Sequence, residues 1–415
     1  MGEIWSNRNF CKLFFSNLFS GFGQGMTMIG ISWYLVEMTG MAKLLGSTML
    51  ISSILVFWIG PFFGAMIDRL SRKAILQMEQ FAGFTVLALI AGWGFWATYH
   101  VWMIVLVYLM TTFMLQIHYP AQSALVQEVF HEKQYNGINS LLEIQNQTAL
   151  VSAGAFAGLL LSKFGLHMVL LLNALMYFLA YVLVSGMDYR FTVEQPAAKN
   201  TRPSWRQQWT QGWLFIRERR GFLLFGVSAL IPFMAVTLVN LLNPIFVSQT
   251  LEEDVWIYSL GEVAYSIGAV LAGACIAAIS RKFGAFSSMV FHFLLMAIVL
   301  ILKVVLPTGW AFVLLSAFLG WCNVSTRLIR QNVYMQLLPN HVMGRVLSFL
   351  QSIGTLMRLL LLALFTAMVD STGAGVGYLV LAGLLFIAGL GITVSMRSLT
   401  ERAASEEAAA AKNEQ

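Results

Sequence analysis

The stretch Gly64-Ala65-Met66-Ile67-Asp68-Arg69-Leu70-Ser71-Arg72-Lys73 decides how the chain is read. It closes one long apolar run and opens the next, so its charges make a polar turn between two hydrocarbon-length segments. About half the chain later it recurs, weakened, as Gly273-Ala274-Cys275-Ile276-Ala277-Ala278-Ile279-Ser280-Arg281-Lys282. A second pair keeps nearly the same spacing: Glu128 to Glu143 around one predicted helix–helix turn matches Gln336 to Gln351 around another. A period of half the chain, with six predicted helices per half, points to two parallel six-helix repeats.

Composition places these repeats in a membrane. The 415 residues are 58% hydrophobic and only 11% charged, against about 25% charged in soluble domains. Apolar runs of about 20 residues, enough to cross roughly 30 Å of hydrocarbon, recur throughout. Predicted spans cover 9–36, 44–67, 75–97, 101–127, 138–162, 166–187, 221–248, 256–279, 285–305, 309–337, 344–369 and 375–396. The first is too long for a signal-peptide core and reads as a retained helix. Of the 25 lysines and arginines, only Lys43 and Lys163 fall on the loops opposite the termini. The positive-inside rule then puts both termini in the cytoplasm of a bacterial inner membrane. Cys11, Cys275 and Cys322 lack pairing or metal spacing and read as packing residues. No nucleophile triad, metal set or phosphate loop appears, so the sequence does not read as an enzyme. The net charge of +6 is that of basic cytoplasmic loops and does not indicate nucleic acid.

The domain reading follows: a six-helix bundle at 1–187, a linker at 188–220, a second bundle at 221–397 and a polar tail at 398–415. Within the linker Trp205, Trp209 and Trp213 share a helical face flanked by Arg206, Arg217, Arg219 and Arg220. That pattern suits a helix lying in the headgroup region, and a plain tether is the alternative.

Polar residues inside the spans are the candidates for function. Asn323, Arg327, Arg330, Gln331 and Tyr334 make one stripe at helical spacing in the tenth span. Arg330 lies roughly 12 Å from the Pro339 turn, and Arg327 roughly 17 Å. Arg358 lies roughly 20 Å beyond Gly344. Three unpaired arginines facing lipid would cost on the order of 8–10 kcal/mol, so they are expected to face a wet cavity. Their field favours an anionic substrate with groups arginine can hold bidentately. The alternative is that they are structural pins to carbonyls and to Glu143. Glu143 is the candidate proton-coupling acid. Glu79 and His292 are expected at the cytoplasmic interface, and Lys303 is expected to snorkel outward.

The turn Gly64-x-x-x-Asp68-Arg69-x-x-Arg72-Lys73 resembles the signature loop of major facilitator superfamily transporters. His118-Tyr119-Pro120-Ala121 and the Gln336…Gly344-Arg345-Val346-x-Ser348 pattern resemble its drug:H+ antiporter-3-like branch, which holds macrolide-efflux proteins and enterobactin-type siderophore exporters. The resemblance implies the major facilitator fold, an all-α bundle of 12 helices in two pseudo-symmetric halves. It implies that the first, fourth, seventh and tenth helices line a cavity, offering Asn17, Gln24, His118, Tyr119, Gln122 and Asn240 beside the arginines. It further implies a gating latch, with Asp68 and Arg69 set against Gly344-Arg345 at a helix N-terminus and Arg72 paired with Glu128. Where many antiporters of the superfamily carry Gly-x-x-x-Gly-Pro, this chain has Gly154-x-x-x-Gly158 without the proline. The spacing still suits close helix packing.

The functional expectation is alternating-access export of an amphipathic anionic small molecule such as a siderophore. The proton gradient would drive it, with no bound cofactor, and the protein would act as a monomer in the bilayer. A macrolide or multidrug pump and an uncoupled facilitator or lysolipid translocase are the alternatives.

Overall fold

The computed structural model describes residues 2–189, 210, 213, 214, 216, 217, 221–338 and 340–413. The side chains of Asp68, Arg69 and 397–413 fall outside the description, as does nearly all of the predicted headgroup helix. The described residues form helices and turns only. After a turn at Gly2–Trp5 come α1 (Arg8–Thr39), α2 (Ala42–Arg69), α3 (Arg72–Gly94), α4 (Val101–Val129), α5 (Tyr135–Phe164) and α6 (Leu166–Ser185). The second half holds α7 (Phe222–Thr250), α8 (Val255–Phe283), α9 (Ala285–Val305) and α10 (Gly309–Leu337). One continuous run, Asn340–Asn413, follows. It turns at Gly373, whose φ of 75° and ψ of 167° are non-helical, into α11 (340–372) and α12 (374–413). A side chain at that φ would be strained, and glycine carries no such penalty.

Ten stretches among the described residues are long and apolar enough to cross a membrane, and one of them, Met343–Met396, contains both α11 and α12. The 32-residue α1 is long enough but interrupted by polar positions. The fold is therefore the expected all-α membrane bundle of 12 helices, with spans matching the predicted ones to within a turn or so at most ends. Two helices are capped by side chains: Asn7 Oδ1 accepts from Asn9 N at 2.9 Å before α1, and Ser71 Oγ from Ala74 N at 3.3 Å before α3. Each satisfies an amide that the first helical turn leaves unpaired.

The chain divides into two compact units, Met1–Gln195 with Pro244–Ser266, and Pro196–Asn243 with Ile267–Gln415. In the first, Phe10, Leu13, Ile75, Leu76, Leu125, Val126 and Ile138 build a core under the polar turn that opens the sequence reading. Also in this unit, a Cβ on Gly154 would come within 2.8 Å of Val263, and one on Gly158 within 2.7 Å of Ser259. The small-residue pair thus lets α5 press against the start of α8, as its spacing predicts. The core of the second unit is built on Phe222, Phe225, Leu242, Phe293, Met296, Leu300, Tyr378 and Leu385, all buried.

Candidate functional site

A polar pocket of about 170 Å³ opens within the first unit, lined from α1, α4 and α5. It gathers Asn17, Gln24, His118, Tyr119, Gln122 and Glu143, which the sequence offered as separate candidates, and adds Gln145 and Asn146. On α1, Asn17, Gly21 and Gln24 share a face at three- and four-residue spacing. On α4, Pro120 sits inside the helix next to these residues, where its missing N–H leaves the preceding turn one backbone bond short. Glu143 is exposed, and its Oε1 accepts a hydrogen bond from Gln147 Nε2 at 2.9 Å. Tyr119 donates to Asn146 Oδ1 at 3.4 Å. Gln24 is spoken for, donating to the buried Tyr177 hydroxyl at 2.7 Å. Asn17 Nδ2 is buried with no hydrogen-bond partner, a donor in the pocket wall that a bound molecule could satisfy.

Behind the pocket stands a residue that the sequence reading misplaced. Glu79 was expected at the cytoplasmic interface, yet it is buried and its two carboxylate oxygens each lie 3.2 Å from His118 Nδ1. The reason is pairing: α3 packs on α4, and a carboxylate with a histidine opposite can be buried where a lone one cannot. No periodicity in α3 signalled this, since the partner comes from another helix.

In the second unit the arginine stripe separates into different environments. Arg330 donates from Nη1 to the carbonyl of Ala229 at 3.0 Å. Ala229 lies in the turn where α7 interrupts between Phe222–Ser228 and Ile231–Ile245, so Arg330 satisfies a carbonyl at that break. Here the structural-pin alternative describes the observed contact. Arg327 and Gln331 on α10 are exposed, as is Asn240 on α7, and Asn323 is half-buried. Arg358 is half-buried with its guanidinium carbon 6.0 Å from the Phe233 ring centroid, and its Nε has no hydrogen-bond partner.

Two further expectations are overturned in this unit. Lys303 does not snorkel: it is 1% exposed, donates to Asn243 Oδ1 at 3.2 Å and Ser316 Oγ at 3.1 Å, and lies 3.9 Å from the Phe312 ring centroid. Tyr378 donates to the same Asn243 oxygen at 2.8 Å. Hydrogen bonds and a ring face replace the water that an ammonium needs. His292 is likewise internal, with Nδ1 2.6 Å from the Ser288 carbonyl and Nε2 accepting from Trp321 at 3.1 Å.

At the polar turn the structure brings together Arg72 and Glu128, with Nε 3.1 Å from Oε1. Tyr189 also donates to Glu128. Burial, and then the bond and charge of Glu128, push the Tyr189 phenol up to about 12. Lys73 donates to the carbonyls of Ser185 and Met187 at 2.9 and 2.6 Å, where a cation offsets the end of the α6 dipole. Gly344 and Arg345 lie in the first turns of α11.

Twelve apolar helices in two units, with polar groups converging on a pocket inside one of them, define a membrane transporter. Residues 13–252, more than half of the chain, match the Major Facilitator Superfamily, and the chain belongs to that family. Among characterised relatives it is similar to Macrolide efflux protein A of Streptococcus pyogenes, 24% identical over 383 residues that cover 88% of this chain and 92% of the relative. Macrolide efflux protein A of Enterococcus faecalis is 23% identical over 328 residues, 75% of this chain and 98% of that one. Among solved structures, a bacterial homologue of the human lysosomal transporter Spinster matches with a TM-score of 0.72 at 11% identity, covering 95% of this chain and 98% of that chain. An inward-facing bacterial homologue of the iron transporter ferroportin gives 0.67 at 14% identity, covering 94% and 98%. At such identities the structural likeness speaks for the fold.

Proposed function

We propose that the protein exports an amphipathic small molecule bearing an anionic group, such as a siderophore, across the bacterial inner membrane. It works as a proton-coupled antiporter by alternating access, as a monomer with both termini in the cytoplasm and with bundles at 1–187 and 221–397. The observation that carries the anionic reading is Arg358, half-buried in an apolar unit with an unpartnered Nε, together with the exposed Arg327. A guanidinium kept in that state is a ready partner for a carboxylate or catecholate. The pocket amides and the Tyr119 hydroxyl are the candidates for neutral polar groups of a substrate, and Glu143 would take up and release the coupling proton. Asp68, Arg69, Arg72, Glu128, Gly344 and Arg345 would form the gate.

A second reading, export of a macrolide, is favoured by the relatives that carry that name. Efflux from proteoliposomes loaded with a catecholate siderophore or with erythromycin separates the two. The anionic reading expects siderophore efflux that an imposed pH gradient accelerates and that Arg327→Glu abolishes. Erythromycin efflux that survives Arg327→Glu, with no siderophore movement, overturns it. Efflux indifferent to the gradient overturns the coupling.

A further inference from the structure

We infer that Glu79 and His118 together form a one-proton binding site that exchanges with the polar pocket through the imidazole. This rests on the proton-coupled reading above and adds to it a buried proton position behind the exposed Glu143.

The geometry sets the argument. The Glu79 side chain is 2% exposed and that of His118 9%. His118 belongs to the pocket lining, whereas Glu79 does not. Nδ1 is within 3.2 Å of both carboxylate oxygens, and the ring is also hydrogen-bonded to Gln122 of the pocket lining, so exchange runs through Nε2 on that side. With the proton on, the pair is neutral overall, as imidazolium with carboxylate or as imidazole with carboxylic acid. With the proton off, through Nε2, a single negative charge remains in an apolar bundle, beside Nδ1–H. That second state is poorly tolerated while the pocket is closed and is relieved when water reaches it. The pair therefore loads and unloads one proton as the pocket changes its wetting, without any group leaving its position.

The surroundings are suited to this. On α6 the buried Tyr177 hydroxyl accepts from Gln24 of the pocket lining at 2.7 Å. On the pocket side the other titratable groups are Tyr119 and Glu143. No lysine or arginine is among the described residues lining the pocket, so no fixed cation stands in for the missing proton. Glu143 is exposed and engaged with Gln147, whereas the pair is enclosed. In the buried pair protonation and pocket state are tied together.

Infrared difference titration of the purified full-length protein in lipid, without substrate, tests the assignment. The expected result is one transition in which imidazole and carboxyl bands change together. Glu79→Gln should leave the imidazole band titrating by itself, His118→Gln should remove the joint transition, and Glu79→Asp, which keeps a carboxyl, should displace it. Each variant is compared with wild type by gel filtration, and His118→Gln and Glu79→Asp decide the matter if Glu79→Gln folds poorly. A joint transition that survives Glu79→Gln, or that disappears in Glu143→Gln instead, overturns the inference. A wild-type efflux rate that ignores the pH gradient, with the joint transition assigned to the pair, would leave the proton site standing and remove only the coupled-transport reading.

Discussion

The buried ammonium of Lys303 gives the most discriminating prediction. It is held by Asn243 Oδ1 and Ser316 Oγ at 3.2 and 3.1 Å, and Asn243 Oδ1 also accepts from Tyr378 at 2.8 Å. Replacing Asn243 by leucine removes one bond to a charged group, about 1.5–3 kcal/mol, and one neutral bond, about 0.5–1.5 kcal/mol. Hydrogen bonds between helices in bilayers fall at the lower end of such ranges, so Asn243→Leu should cost about 2–4 kcal/mol and leave the ammonium one acceptor short. Lys303→Met removes the charge together with its need for partners, and its cost should stay within about 1.5 kcal/mol. Asn243 keeps the Tyr378 bond in that variant, and Ser316 keeps its donation to the Phe312 carbonyl at 2.8 Å. For a unit of this size each kcal/mol moves the unfolding midpoint by about 2–4 °C. Thermal unfolding in detergent, followed by tryptophan fluorescence, should therefore rank Asn243→Leu well below Lys303→Met. The double variant should recover at least about 1 kcal/mol relative to Asn243→Leu alone. A double variant no more stable than Asn243→Leu would refute the reasoning, because the loss would then come from packing and not from an abandoned ammonium.

Three further outcomes follow from the same geometry. A Cβ on Gly268 would lie 1.9 Å from the backbone oxygen of Ala317, whereas one on Gly60 meets nothing within 4 Å; Gly268→Ala should abolish the folded peak in gel filtration and Gly60→Ala should leave it unchanged. The Arg72–Glu128 pair is partly exposed, so Glu128→Gln should lower stability by no more than about 1 kcal/mol, while efflux from proteoliposomes falls several-fold if the pair gates. The Tyr189 phenol, raised from 10.0 to about 12, is held neutral by folding. Its contribution to stability should be complete below the unfolded value and fade as the pH rises through the folded one. Ultraviolet titration of wild type against Tyr189→Phe should assign the late phenolate, and its appearance near the ordinary tyrosine range would contradict the contact with Glu128.

What the sequence determined by itself was whatever depends on spacing along one helix. The repeat from Gly64–Lys73 to Gly273–Lys282, the twelve spans, and the polar faces of α1, α4 and α10 are all properties of a local period. Hydrocarbon forces every backbone amide to be satisfied within its own helix, so here local pattern and fold coincide. Which polar groups meet was decided by the tertiary structure. Glu79 read as interfacial until His118 stood opposite it, Lys303 as snorkelling until Asn243, Ser316 and Phe312 enclosed it, and Arg330 as a cavity cation until the break in α7 offered the Ala229 carbonyl. In each case the free energy of a buried charge is set by atoms from another helix, and the one-dimensional pattern carries no record of that neighbour.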